Sequence, residues 1–311
     1  MGSSTDTRSQ FVSLNSNPFE TTRVALNNQQ VEAALEGVSA DTATQIRAAL
    51  NDPAFSGHLE GIAPEEAVKL LPLAGQFSVH PISDFTVGAV ALGRSGNLYL
   101  GANLEFQGMP LHATLHAEQS AVLNAWMHDE SEITALYVSE TPCGHCRQFL
   151  LELSNQDALR IHVREHVHTM RELLPHAFGG TQAKGHGLLD SRPKALEAMR
   201  PEPDTSQLRA INAAQRSYVP YSRSSEGFLI ECLNGRFFSG RAAECAAFNP
   251  SVPAVLVALN QHNLSASRRV AITTATEAKL ATAINNPLPF ARTLMSSISN
   301  AEIKVVQMDA R

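Results

Sequence analysis

Residues 80–106 read HPISDFTVGAVALGRSGNLYLGANLEF, and residues 219–248 read VPYSRSSEGFLIECLNGRFFSGRAAECAAF. Laid over each other without gaps, Pro81 meets Pro220, Ser83 meets Ser222 and Gly88 meets Gly227. In the same register Gly96 meets Gly235, Gly101 meets Gly240 and Glu105 meets Glu244. So many matches in one register, with apolar residues paired between them, point to an internal duplication. The glycines carry most weight, because each marks a turn or a close backbone approach. Within the first copy, "DFTVGAVAL" and "GNLYLGANL" have the composition of strands, joined by the Gly-bearing turn "GRSGN". Upstream, "LLPLAGQ" faces "AINAAQR", and both have helical spacing.

The pattern extends on either side of the first copy. "LHAEQSAVLNAWMH" is helical, "ITALYVSE" a strand, "GHCRQFLLELS" a helix and "LRIHVRE" a strand. Strands alternating with helices of this length predict an α/β layered sheet. Before the repeat, "TTRVALNNQQVEAALEGV", "DTATQIRAALNDP" and "APEEAVKLLPLAGQF" read as helices, with apolar Val24, Leu26, Val31, Ala34 and Leu35 in the first and Asp41 as cap of the second. From about Glu165 to Asp204 the chain is irregular and rich in Gly, Pro and His, which predicts a linker or covering segment. Its histidines and one neighbour (His162, His166, His168, His176, His186) fit no compact ligand set and read as exposed.

Length and composition bound the function. The chain has 311 residues, 43% hydrophobic and 17% charged, with a formal net charge of −6. That suits one large domain or two medium ones with a buried core. The acidic balance argues against nonspecific nucleic-acid binding, which needs clustered Lys and Arg. Apolar runs are too short for a membrane helix, and the polar first residues lack the order of a secretory signal, so a cytoplasmic protein is expected. The four cysteines are Cys143, Cys146, Cys232 and Cys245.

Cys143 and Cys146 form a C-x-x-C in "TPCGHCRQFLLEL". Pro142 precedes a helix start, so both sulfurs sit where the helix dipole favours thiolates. Alone, the pair fits a redox couple, half of a structural zinc site or coincidence. His116 sits at a second helix start. One His and two Cys give three ligands and an open fourth position, the arrangement of catalytic zinc, which makes a bound water nucleophilic near neutral pH. Glu118 is placed to move that water's proton rather than to bind metal. Arg147 is a candidate to hydrogen-bond a sulfur, and His145 is a rival ligand. His116-x-Glu118 with Pro142-Cys143-x-x-Cys146 is the combined signature of zinc nucleobase deaminases. In the gapless register the second copy has Val255 opposite His116 and Val257 opposite Glu118, and it has no C-x-x-C. The chemistry is therefore expected in the first copy only.

The chain resembles the cytidine deaminases of the two-domain, homodimeric kind. "VHPISDFTVGA", "GANLEF", "LHAEQSAVLNAW" and "TPCGHCRQFLLEL" carry the likeness, and "RSYVPYS" and "AAFNP" extend it. The resemblance implies two tandem three-layer α/β/α domains behind a small helical segment. The expected divisions are 1–61 for that segment, 62–182 for the catalytic domain, 183–203 for a linker and 204–311 for a domain without zinc. It implies one Zn²⁺ per chain, held by His116, Cys143 and Cys146, with Glu118 as proton carrier. Cytidine and 2′-deoxycytidine would be hydrolysed to the uridine products and ammonia, as in pyrimidine salvage. Phe85 would pack on the base, Asn103, Leu104 and Glu105 would surround the ribose, and the backbones of Ala117 and Thr141 would read the pyrimidine edge. A carboxylate at Glu105 would also repel a 3′-phosphate. Phe248 would reach into the partner's site in a homodimer. Glu140 departs from the family's usual small or aromatic residue. The expected partners are a free pyrimidine nucleoside and a second copy, with no nucleic acid and no membrane. The alternative is a deaminase of another base or nucleotide, which would want a basic phosphate-binding cluster that the motifs lack.

Overall fold

The computed structural model describes residues 26–179, 186–200 and 202–310. Val24 and part of the expected 183–203 linker lie outside the described residues. The chain opens with α1 (Asn28–Ala34), α2 (Ala40–Asn51) and the short strand β1 (His58–Leu59). Ser39, not Asp41, caps α2, its hydroxyl accepting from the Thr42 N–H. Asp41 sits instead in the first turn, where its charge still complements the dipole. The next expected helix is split into a 3₁₀ stretch (Pro64–Leu70) and α3 (Leu71–Gly75). Pro72 has no N–H for the ladder, so an uninterrupted α-helix cannot form there.

The first layered unit continues with β2 (Gly88–Gly93), β3 (Leu98–Ala102), α4 (Ala117–Met127), β4 (Ile133–Val138), α5 (Gly144–Leu150), β5 (Arg160–Val163), β6 (His166–His168) and α6 (Met170–Leu173). The second consists of β7 (Leu196–Ala198), α7 (Thr205–Gln215), β8 (Glu226–Cys232), β9 (Phe237–Arg241), α8 (Ala254–Asn263), β10 (Ile272–Leu280), α9 (Leu288–Ile298) and β11 (Ile303–Ala310). The sheet orders are β1-β3-β2-β4-β5-β6 and β7-β11-β10-β8-β9. Their shared centre, β3-β2-β4-β5 against β9-β8-β10-β11, has the same pattern of two antiparallel pairings and one parallel one. Even the register shift recurs, at Leu92/Gly93 in β2 and opposite Cys232 in β8.

The duplicated glycines hold the layers together. A Cβ on Gly101 would strike the backbone of α4 at Ala117 and Ala121. A Cβ on Gly240 would strike α8 at Ala254 and Ala258 in the same way. Gly88 and Gly227 approach α3 and α7 on the opposite faces. Each sheet is thus sandwiched between helices, giving the expected three layers twice.

One register expectation is corrected. Leu104 bridges Leu115, and its counterpart Ala243 bridges Val252, two residues short of the gapless match. The second copy has therefore lost two residues before α8. His116, the N-cap of α4, corresponds to Pro253, the N-cap of α8, rather than to Val255. Glu118 then corresponds to Val255 rather than to Val257.

The two units share one core, in which α4 lies beside α8. Their contact is polar and buried. Ser120 Oγ donates to Asn260 Oδ1 at 2.6 Å, and Asn260 Nδ2 returns a bond to the Ser120 carbonyl at 3.1 Å. Gln261 donates to Asn124 Oδ1 at 3.3 Å, and Gln119 donates to the Pro250 carbonyl at 2.9 Å. Asn260→Ala strands the Ser120 groups and is expected to cost about 2 kcal/mol. Urea unfolding of the variant checks this, and an unchanged midpoint would show the seam to be dispensable.

Candidate active site

The two helix starts α4 and α5 meet at the C-terminal end of β4. His116 and Cys143 are their N-caps, both in extended backbone, and Cys146 follows one turn into α5. His116 Nδ1 lies 3.4 Å from Cys143 Sγ, and Cys143 Sγ lies 3.7 Å from Cys146 Sγ. All three donor atoms fall within 4.8 Å of one another. A tetrahedral zinc with ordinary bond lengths separates two sulfurs by about 3.8 Å and a nitrogen from a sulfur by about 3.6 Å. The two separations at Cys143 match these values, so the donor set fits zinc. No fourth His, Cys, Asp or Glu joins the group among the described residues. The rival ligand His145 is outside it, its ring stacked on His116 at 5.3 Å.

The electrostatics follow from this packing. Hydrogen bonds from Cys146 and His116 bring the Cys143 thiol down to about 3, against the opposing effect of burial. The Cys146 thiol is raised by its bond to Cys143 and by burial. His116 is raised, chiefly by its bond to Cys143. Glu118, in the first turn of α4, is only 5% exposed. Burial raises its carboxyl, with the His116 charge opposing.

These groups open onto a cavity of about 280 Å³. Phe85, Asn103, Glu105, Ala117, Glu118 and Thr141 line it together with His116 and Cys143, which brings most of the residues singled out in the sequence to one place. Phe85 is half exposed on the cavity wall. Asn103 Oδ1 accepts from the Val87 N–H and the Ser78 hydroxyl, and its Nδ2 donates to the Phe85 carbonyl. Glu105 accepts from the N–H groups of Ile82 and Ser83, each at 3.0 Å, and from the Ser83 hydroxyl. Burial works against this carboxylate, but those donors hold it below its usual range. Asn103 and Glu105 thus brace the segment that presents Phe85.

Three residues stand elsewhere. Leu104 is buried in the core and does not line the cavity. Phe248 is 70% exposed and lines a different cavity, in the second unit. Arg147 donates to the carbonyls of Pro142 and Leu173, each at 2.7 Å, rather than to a sulfur. Its long side chain spans from the cysteine turn to the end of α6, a contact the linear sequence does not disclose. Arg147→Ala is accordingly expected to loosen the Pro142 turn and lower zinc retention during dialysis by about tenfold, the effect typical of residues that orient ligands. Unchanged retention would remove that role.

The cavity also includes Ser83, Thr114, Leu115, Val87 and Glu140, which the motifs did not single out as binding groups. Glu140 is paired with Arg164 at 3.3 Å. Ser83 was detectable, since its counterpart Ser222 makes the same bonds to Glu244 as Ser83 makes to Glu105. His166 and His168 are in β6, and His162 stacks on Tyr137, so these histidines gather no metal site among the described residues.

The family model described as "Cytidine and deoxycytidylate deaminase zinc-binding region" matches residues 63–159, and a second model of the same description matches residues 170–286. The second unit lacks these donors at the matching positions: Pro253 and Pro287 cap α8 and α9 where His116 and Cys143 cap α4 and α5. The chain is 46% identical over 200 residues to a cytidine deaminase of Yersinia pestis (strain Pestoides F), covering 64% of this chain and 68% of the relative. The same identity and coverage hold for a cytidine deaminase of Yersinia pseudotuberculosis serotype O:1b (strain IP 31758). Among solved structures, it is similar to cytidine deaminase from Mycobacterium tuberculosis, at 33% identity, TM-score 0.32, and 34% and 89% coverage of the two chains. It is also similar to cytidine deaminase from Burkholderia pseudomallei, at 24% identity, TM-score 0.34, and 38% and 100% coverage. With a zinc donor set in its first unit, a repeat of the fold without donors in its second, and relatives matched over two thirds of their length, the chain belongs to the cytidine deaminase family.

Proposed function

We propose that the protein hydrolyses cytidine and 2′-deoxycytidine to the uridine products and ammonia. The observation that carries this reading is Glu118, buried beside a three-donor zinc set and facing a cavity of nucleoside-binding size. His116, Cys143 and Cys146 would hold one zinc per chain. Zinc in that setting supplies Lewis acidity toward water near neutral pH.

The chain's own residues do the rest. Glu118 carries one proton of the incoming water to N3 of the cytosine, where it stays in the product, and the second to the departing amine, which leaves as ammonia. Its burial keeps each of these protons from being lost to solvent during its transfer. Phe85 packs on the base. Ala117 has only a methyl group, so a flat ring reaches its backbone and that of Thr141 closely. Asn103 and Glu105 turn their remaining lone pairs and N–H toward the ribose hydroxyls, and buried Leu104 between them fixes their strand by its backbone bridge to Leu115. Glu105 places negative charge on the cavity wall, which disfavours phosphorylated substrates.

Loss of ultraviolet absorbance on adding cytidine, deoxycytidine and their 5′-monophosphates tests the substrate class. Turnover of both nucleosides is expected, with the monophosphates at least about 100-fold poorer. Turnover of a monophosphate but of neither nucleoside would establish the alternative, a nucleotide deaminase.

The division into a helical segment (1–61), a catalytic domain (62–182), a linker (183–203) and a second domain (204–311) belongs to the same proposal, the linker adding β7 to the edge of the second unit's sheet. So does a homodimer in which Phe248 closes the partner's site; its exposure on a single chain supports this. No helix among the described residues is long and apolar enough to cross a membrane. The four cysteines are all unpaired, which suits a reducing cytoplasm and a salvage role there.

A further inference from the structure

The second unit has a cavity of about 400 Å³ at the position where the first unit has its active site. Its wall repeats the first. Glu244 accepts from the N–H groups of Tyr221 and Ser222 and from the Ser222 hydroxyl, as Glu105 does from Ile82 and Ser83. Even the left-handed residue beside that brace recurs, Asp84 at φ 52° and Arg223 at φ 59°. The reactive corner does not recur: Pro253, Val255 and Pro287 stand in place of His116, Glu118 and Cys143.

A new group does appear. Glu226 lines this cavity from β8, where the first unit has Val87. It is 5% exposed, and its Oε1 has no hydrogen-bond partner among the described residues. The Ala254 N–H, in the first turn of α8, faces the same carboxyl. Glu277 on the neighbouring strand is fully buried too, and neither of its oxygens has a hydrogen-bond partner among the described residues. Burial, then the charges of Glu277 and Glu244, push Glu226 up to about 8, with the Ala254 N–H and Lys279 opposing. At neutral pH this side chain is a carboxylic acid, with an O–H and a C=O side by side. Tyr221 stands on the same wall, edge to face with Phe248 at 6.4 Å, and offers aromatic surface to a ring.

We propose that the second unit's cavity binds a pyrimidine nucleoside without reacting with it, Glu226 reading the base edge. The N3 and 4-amino groups of cytosine accept and donate one bond each to a carboxylic acid, and the N3–H and O4 of uracil do so in the reverse sense. The ligand class rests on the proposed activity of the first unit; the existence of the cavity and its unsatisfied acid does not.

Equilibrium dialysis of the full zinc-loaded chain with uridine tests this, alongside cytidine turnover on the same preparation. A second arm uses cytidine with Glu118→Ala, which separates substrate from product as the occupant. Two nucleosides per chain are expected in at least one arm. Glu226→Val, which restores the first unit's residue, should lower this to one with turnover changed less than about twofold. Glu226→Gln, whose amide also donates and accepts, should keep two. One nucleoside per chain in both arms, or two retained by Glu226→Val, overturns the proposal while turnover persists. Absent turnover in the wild type would instead overturn the reading of the first unit.

Discussion

Glu118→Ala is expected to retain one zinc per chain and to lower cytidine turnover by about three to four orders of magnitude, the range of a lost general acid–base group. The two results come from metal analysis and from the rate at saturating cytidine. The separation between them follows from the geometry. Glu118 is outside the group of three mutually close donors, so its removal leaves the metal set intact. Its carboxyl is buried in the cavity wall, and an alanine there leaves no second side chain with the same reach: Glu105 is held by Ser83 and Glu140 by Arg164. A variant that kept most of its rate would remove Glu118 from the mechanism. A variant that lost both rate and zinc would make it a ligand.

Cys143→Ala is expected to fall from one zinc per chain to below about a tenth after dialysis, with turnover lost in parallel, because two donors do not retain the metal as three do. Cys143 is the most informative of the donors. It is the only exposed one of the four cysteines, so the substitution leaves no core cavity, and folding is expected to survive. Its depressed thiol is ionised at neutral pH and enters the metal site without first losing a proton. Circular dichroism alongside the metal analysis separates loss of ligand from loss of fold. A wild-type content near two would place a second metal in the second unit and contradict the proline caps.

Much of this site was readable from residues alone, for a physical reason. Helix starts have strong sequence marks, and catalytic zinc needs few donors, so His116, Glu118, Cys143 and Cys146 were identifiable from spacing. The duplicated fold was equally exposed through Gly88, Gly101, Gly227 and Gly240, whose close backbone contacts permit no side chain. What was hidden depended on length or on direction. The missing two residues before α8 left the glycine register unbroken and only shifted the helix, so Val255 was matched to the wrong partner. Arg147 was matched to a sulfur because the Leu173 carbonyl lies far along the chain. Glu226 sits in a stretch whose alternation does not say which face is inward, and its burial emerged only with the sheet. Ser39 displaced Asp41 as a cap because both are good caps and the helix begins two residues earlier than the acid would require.

The hydrogen-bonded seam between α4 and α8 bears on how this enzyme can be cut down. Ser120, Asn124 and Gln119 lie on the same helix that carries Glu118, and each bonds the second unit through its side chain, Asn124 by its Oδ1 while its Nδ2 donates to the Gly57 and Leu100 carbonyls. A minimal catalyst made by stopping the chain at residue 182 would present that row of amides and hydroxyls, with Trp126 no longer beneath Arg241. The inactive half is therefore a permanent jig for the reactive helix, and miniaturising the protein would require redesigning that helix face rather than deleting the half that does no chemistry.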